Sequence, residues 1–452
     1  MIKKPSFSSV IQTKGFQVLW ANQILVQLAY NILNFSLIIW VFKLTDSNLA
    51  VSLLILSIYL PALIFGLFAG VFVDLVDKRK IITLIDLLFV VAFLIFPFIR
   101  KSYPLILVNT FFINSLAQFF MPAESSSIPQ LVSQKQLFLA NSLFTVTLYA
   151  AFMVGFTAAG PILDSFSISP IFYLGAILLL MAALISQNLP VLKVVRKDNF
   201  SGADIWSLIA SETKQTITFI RGRLAIVVSI GLLAALQGVI GVLAVLTPSY
   251  MERVLGVHAT DASLYVMLPL GLGLISGALF IGHFFHRLPR RRLVIPGIIL
   301  AGFLLAGVGI APKIAVLLDA TTLPQKIIHL RYFLNAPSLA STFVIGAFLL
   351  GVAAIAIIIP SQTVLQENTK DENRGKIFAV LFVLMNAFAI LPVLLAGILA
   401  DLFGETKVFF AMGVVIFMTG LLAMKPAMFF AESHLPYKVR QFLGLGHWEN
   451  GK

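Results

Sequence analysis

The 452-residue chain has no cysteine. Disulfides, thiolate metal sites and cysteine nucleophiles are therefore excluded. Histidine is nearly as rare, with six in the whole chain. His258, His329, His434 and His447 fall in loops or the tail, and His283 and His286 have no carboxylate close in sequence. No metal-ligand spacing results, and neither a metal nor an organic cofactor is expected. No Gly-x-x-x-x-Gly-Lys-Ser/Thr loop occurs, so the chain carries no phosphate-binding ATPase motif of its own. Charge is also scarce. Asp, Glu, Lys and Arg make up 11% of residues, against about 25% in soluble domains.

What fills the chain is apolar: 59% of residues are hydrophobic. A membrane-spanning helix needs about 20 mostly apolar residues. Twelve runs qualify: 16–42, 49–73, 80–99, 103–122, 138–163, 170–188, 224–250, 262–285, 293–311, 338–360, 376–400 and 407–425. The first run is too long for the core of a cleavable signal peptide and leads into eleven more. The expected fold class is an all-α polytopic membrane protein with 12 transmembrane helices. The polar remainder is too short to fold as a separate domain.

One short basic loop occurs twice. GVFVDLVDKRK, from Gly70, and GHFFHRLPRRR, from Gly282, each place a Gly, three spacers, a polar residue and then a closing run of three cations. A second pair of matches, Pro122 with Pro360 and Asp164 with Asp401, repeats at a slightly larger offset. The longer polar connection at 312–337 accounts for the difference. The chain thus reads as two pseudo-symmetric six-helix bundles, at 1–189 and 224–426. A linker at 190–223 joins them and a tail at 427–452 follows. Duplicated membrane halves are the usual architecture of secondary transporters, with the substrate path between the halves.

The formal net charge of +13 invites a nucleic-acid reading, but its distribution argues otherwise. With the N-terminus inside, 24 of the 32 Lys and Arg residues fall on the inner side. Cation bias of this kind sets membrane orientation. Both termini are expected in the cytoplasm, with no nucleic-acid partner. In the linker, Trp206, Ile209, Thr213, Ile217 and Ile220 follow helical spacing. They predict an amphipathic helix on the inner leaflet, either coupling the bundles or serving as a passive tether.

The stretch GLFAGVFVDLVDKRK resembles the signature loop between helices 2 and 3 of the major facilitator superfamily. LWANQILVQLAYNILNFSLIIWVFKLT (19–45), FFMPAESSSIPQLVSQKQLFLANSL (119–143) and PSQTVLQENTKDENRGKIFAV (360–380) are similar to its macrolide-efflux, enterobactin-exporter and lysophospholipid-transporter branch. The resemblance covers nearly the whole chain. It implies a multi-pass protein of the bacterial inner membrane that can act as a monomer, and it implies alternating access.

The loop residues have physical roles to fill. Gly70 would let two helix backbones approach closely. Asp74, at the inner end of helix 2, is placed to cap a neighbouring helix N-terminus. The resemblance implies that this neighbour is helix 11, near Arg374 and Gly375. Lys78, Arg79 and Lys80 would clamp acidic groups on the same face, with Glu124 the preferred partner of Arg79. Together they would latch an inner gate. The plainer reading is that the cations only set orientation. Asp77 stands where many family members have Gly, and His286 takes the place of Asp74 in the second copy.

Helix 1 carries Gln23, Gln27, Asn31 and Asn34, which at 100° per residue share one 80° sector. Amides in hydrocarbon must find partners. They form either a wall of the substrate cavity or bonds between helices. Asn109, Asn114 and Gln118 on helix 4, Gln237 on helix 7 and Asn386 on helix 11 are candidates for the same cavity. Asp86 is the one carboxylate clearly inside a span, about 9 Å along the helix from Lys80. It is a candidate proton-coupling acid, or a structural partner of the loop cations. The Arg that many drug–proton exporters carry in helix 4 is missing. Gly160-Pro161 keeps only a fragment of the antiporter signature in helix 5.

The sparse charge points to a small-molecule substrate that is neutral or amphipathic. Proton-coupled export of lipophilic compounds is the first expectation and lysophospholipid transport the alternative. A membrane-bound transferase would need clustered His and carboxylates, which are not found, so no catalytic residue is assigned.

Overall fold

The computed structural model describes residues 7–192, 211, 215–220, 223–284, 291–320, 336–367 and 371–424; the side chains at 7–8, 138, 224, 282–284, 314–320, 336–342 and 371–379 are outside the description. Among the described residues every regular element is helical, and none is a strand. Twelve helices are long and apolar enough to cross a membrane. They are α1 (Lys14–Thr45), α2 (Asn48–Leu75), α3 (Lys78–Ile99), α4 (Tyr103–Leu131), α5 (Leu137–Phe166) and α6 (Ser169–Ser186). After the linker come α7 (Leu224–Ser249), α8 (Leu268–Phe284), α9 (Arg291–Ala320), α10 (Ala336–Glu367), α11 (Asp371–Phe403) and α12 (Glu405–Met424). Two π-helical turns, Tyr250–Val254 and Ser263–Met267, extend α7 and α8 toward each other.

The chain divides into two compact units, Met1–Thr213 and Lys214–Lys452. Four pairings recur, whereas the extensive packing of α1 on α6 has no comparable counterpart between α7 and α12 among the described residues. In the first unit α1 packs on α5, α2 on α4, and α3 on both α4 and α6; in the second, α7 packs on α11, α8 on α10, and α9 on both α10 and α12. Of the expected linker helix, residues 215–220 are helical, with Ile220 buried and Ile217 exposed. Trp206, Ile209 and Thr213 lie outside the described residues, as do His286, most of the 312–337 connection and the tail.

The helices outrun the hydropathy pattern at corresponding places. α4 continues nine residues past the expected stop at Pro122, and α10 continues past Pro360 to Glu367. Proline removes one backbone donor, here the one that would meet Gln118 O, and α4 nevertheless runs on. Past it the Ser125 hydroxyl donates to Pro122 O at 3.3 Å, and the Ser127 hydroxyl to Ala123 O at 2.6 Å, both bonds back to the same helix. The extension places Glu124 inside a helix rather than at its end.

The two units bring their helices together differently. In the first, large side chains fill most crossings. Phe96 stacks on Phe172 at 4.9 Å between α3 and α6, and Phe89 meets Phe120 at 6.0 Å between α3 and α4. In the second, backbones touch. A Cβ built on Gly413 of α12 would lie 2.1 Å from Ala306 N of α9, and one on Gly351 of α10 would lie 2.2 Å from Leu270 O of α8. Small residues permit such contact where apolar burial gives no net drive. Gly70, by contrast, has no atom of the described residues within 4 Å of its added Cβ.

Gly413→Val is therefore expected to destabilise the purified protein by roughly 1–3 kcal/mol, as overpacking does. Gly70→Ala is expected to leave it unchanged. Thermal unfolding followed by fluorescence-detected size exclusion separates the two outcomes.

Candidate functional site

The inner-end loop is built around the start of α3. Asp77 is its N-cap: one carboxylate oxygen accepts from Arg79 N at 3.1 Å and from Leu192 N at 3.4 Å. A carboxylate at this position satisfies a free helix donor and sits at the positive end of the dipole. The same oxygen ties the segment after α6 to α3. Lys78 is fully buried, near the carboxylates of Asp74 and Asp77, yet its Nζ makes no hydrogen bond among the described residues. Arg79 is half-buried and Lys80 exposed. Arg374 is in the first turn of α11, with its side chain outside the description.

Glu124 does not meet Arg79. Among the described residues no ion pair joins them; Glu124 is 5% exposed and Asp86 acts on it electrostatically. The reason is the longer α4, which carries Glu124 back into the α3–α4 contact. Asp86 is itself fully buried. Asn22 of α1 donates from Nδ2 to an Asp86 carboxylate oxygen at 2.7 Å and to Ala182 O of α6 at 3.1 Å. The Thr83 and Ser186 hydroxyls lie 3.0 Å apart beside it, joining α3 to α6. Asp86 therefore sits where α1, α3, α4 and α6 converge, and does not pair with the loop cations.

The amide face of α1 divides in two. Gln23 is 2% exposed and donates to Phe144 O of α5 at 3.2 Å, a bond between helices. Asn31 donates back to Gln27 O at 2.8 Å, and Gly155 of α5 packs directly on it. These two support the bundle. Gln27 is half-buried, and among the described residues its side chain has no hydrogen-bond partner. Beyond it the Tyr30 hydroxyl donates to Asn114 Oδ1 of α4, and Asn34 Oδ1 is buried without a partner. Asn114 and Gln118 also bond along α4, to Thr110 O at 2.8 Å and Asn114 O at 3.3 Å. Asn109 instead donates to Ala92 O of α3 at 2.8 Å. The structure thus gathers Gln27, Tyr30, Asn34, Asn114 and Gln118 into one polar patch on α1 and α4. Gln237, half-buried on α7, and Asn386, donating to Phe382 O at 2.8 Å, belong to the other unit. That unit also has an ion pair where α12 begins, between Arg253 and the buried Glu405 at 2.9 Å. Among the described residues no group of three or more His, Asp or Glu is placed to hold a metal ion.

A family profile described as Major Facilitator Superfamily matches residues 19–323. The chain belongs to the major facilitator superfamily. It is 24% identical over 438 residues to an uncharacterized MFS-type transporter, YfiS, of Bacillus subtilis (strain 168), covering 94% of this chain and 95% of that one. Among solved structures it is similar to the nucleoside transporter NupG, with a TM-score of 0.65 at 13% identity, covering 91% of this chain and 99% of that one. A POT family transporter in complex with 5-aminolevulinic acid gives a TM-score of 0.69 at 12% identity, covering 93% of this chain and 98% of that one. At these identities the solved structures share the fold alone. Superfamily membership makes the chain a multi-pass membrane transporter for small molecules and not an enzyme.

Two polar residues of this superfamily member escaped the sequence pattern. Tyr30 lies 20° beyond Gln23, just outside the 80° sector, so a count that included hydroxyls and widened the sector to 100° would have found it. Asn22 lies 100° from Gln23, outside the sector, and only the packing of α3 and α6 gives it a partner.

Gln23→Ala is expected to cost roughly 1 kcal/mol in thermal stability, the scale of a hydrogen bond between membrane helices. Gln27→Ala is expected to leave the melting temperature unchanged and to alter transport. Asp77→Ala should cost about 1 kcal/mol and Asp77→Asn much less, since Asn also caps.

Proposed function

We propose that this transporter is a secondary active exporter that works by alternating access and couples proton entry to the export of lipophilic or amphipathic small molecules. The observation that carries this reading is the polar patch of α1 and α4. It offers amides and a phenol, with no fixed charge, to a bound molecule. Such groups orient a neutral or amphipathic compound through hydrogen bonds while apolar surroundings supply most of the contact. Aromatic side chains stand on α4 and its neighbour α2: Phe65, Phe68 and Phe72 of α2 pack around Phe119 of α4 at 5.7–6.2 Å.

The likeness of 19–45, 119–143 and 360–380 to the macrolide-efflux, enterobactin-exporter and lysophospholipid-transporter branch supports export. The cation bias supports cytoplasmic termini in a bacterial inner membrane. Asp74, Lys78, Arg79, Lys80 and Arg374 would form the inner gate. Lys78, buried between two carboxylates, fits a group held ready for a partner. Transport is expected from a single chain.

The test is dye accumulation in efflux-deficient bacterial cells, with and without the protein. Accumulation should fall when the protein is present, and a protonophore should restore it. Asp74→Asn should abolish the effect at unchanged membrane abundance. Unchanged accumulation with the protein in the membrane would overturn export of lipophilic compounds. Lysophospholipid transfer between leaflets of reconstituted vesicles is the assay that would then identify the alternative.

A further inference from the structure

Asp86 and Glu124 face each other across the α3–α4 contact. Phe89 of α3 meets Phe120 of α4 at 6.0 Å, Asp86 and Glu124 each lie about one turn beyond that contact, and Asp86 acts on Glu124 electrostatically. Both carboxylates are buried, and each keeps one oxygen, Asp86 Oδ1 and Glu124 Oε1, with no hydrogen-bond partner among the described residues. A third helix contributes independently. Asn22 is 0% exposed, its Nδ2 is bonded to Asp86, and its own Oδ1 is also without a partner. Three orphaned oxygens therefore belong to three side chains gathered in one place.

Among the described residues no cation forms an ion pair with them. The helices packed around the pair carry few charges: Lys14 and Lys43 near the two ends of α1, Lys78, Arg79 and Lys80 in the first turn of α3, none on α6 and none but Glu124 on α4. Lys78 interacts electrostatically with Asp74 and Asp77. The buried carboxylate of the other unit makes the contrast, since Glu405 has Arg253 at 2.9 Å. Two like charges at close range in low dielectric do not both persist, and the inexpensive remedy is to share a proton.

We infer that Asp86 and Glu124 form a single proton-binding site inside the first unit, in which one proton is held between the two carboxylates and Asn22 positions the Asp86 carboxylate. One carboxylic O–H donates to the other carboxylate, and the pair retains one negative charge, which the Asn22 amide meets. Glu124 is thereby assigned to proton binding instead of the gate. The inference deepens the proton-coupled reading and rests on it only for the use made of the proton.

The test is infrared difference spectroscopy of the full chain in liposomes across a pH titration, without substrate, in choline chloride and in sodium chloride. A protonated-carboxyl band is expected in both salts. In Glu124→Gln the remaining acid should titrate with a midpoint moved by more than about one pH unit, the mark of a coupled pair. Asp86→Asn should do the same to Glu124. Asn22→Ala keeps both acids and should shift the band frequency while retaining the coupling. Bands that each single variant removes without disturbing the other acid would overturn the shared site. So would a band that sodium abolishes, which would mark a metal-ion site, and so would the absence of any band in the wild-type protein. Should the acid variants not fold, the salt comparison on the wild-type chain and the Asn22→Ala spectrum still decide. A shared proton in a chain that exports nothing under a pH gradient would refute the exporter reading and leave the site; export with two independent acids would do the reverse.

Discussion

The cost of an unpaired polar group in hydrocarbon governs this structure more than any single contact does. Backbone groups in a bilayer have no water to turn to, so every span is helical. The same rule then sorts the side chains. The serines of α4 bond back to their own helix. Trp20 reaches the Thr147 hydroxyl at 2.8 Å, and Gln23 the Phe144 carbonyl, so these polar groups of α1 serve as cross-braces to α5. Other buried polar atoms have no hydrogen-bond partner among the described residues: Asn34 Oδ1 at the patch, Asn22 Oδ1, Asp86 Oδ1 and Glu124 Oε1 near the α3–α4 contact, and also Gln23 Oε1, Lys78 Nζ and the hydroxyls of Ser36, Thr110, Thr157 and Ser361. The cluster near the α3–α4 contact is set apart by holding two carboxylates.

Helix association adds a second constraint. Apolar surface gains little by leaving lipid for protein, so close packing has to supply the attraction. The units meet this requirement with different residues on the four pairings they share. The first interlocks phenylalanines around small gaps, as where Phe93 fills the notch at Gly175. The second removes side chains, so that Gly302, Ala306 and Gly309 of α9 meet Gly413 and its neighbours on α12 backbone to backbone. Among its described residues the buried acid, Glu405, pairs with Arg253. The first unit instead buries Asp86 and Glu124 with no ion pair among the described residues. Duplication preserved the four pairings while the polar content diverged.

How much of this was legible in the sequence depends on range. Span number, the repeat and the family were legible because hydropathy and a motif of eleven residues are local. The ends of α4 and α10 were not, since Pro122 and Pro360 read as stops and both helices run past them. Glu124 read as a partner of Arg79 because both lie toward the same end of their helices; among the described residues no ion pair joins them, and Asp86 acts on Glu124 electrostatically. A face drawn on one helix shows which residues share a direction. It does not show what stands opposite, and Asn22, lying off the drawn face of α1, meets its partner only because α3 and α6 converge behind it.

The placement of the two acids bears on how a proton could act across a moving protein. Asp86 is held by groups of two other helices of its own unit, through Asn22 and Ser186, and acts electrostatically on Glu124 of a third. A proton bound there would change the charge of a four-helix junction and not of a loop. From that junction α3 leads directly to its first turn, where the buried Lys78 interacts with Asp74 and Asp77, and Asp77 fastens the chain leaving α6. Gain or loss of one charge at the junction would therefore act on the same two helices, α3 and α6, that Asp77 ties together. Two discrete arrangements of a packed element are what coupling requires. A rigid α3 carrying the acid in its second turn after the basic run, and the cap at its start, is short enough to transmit such a change without a longer relay.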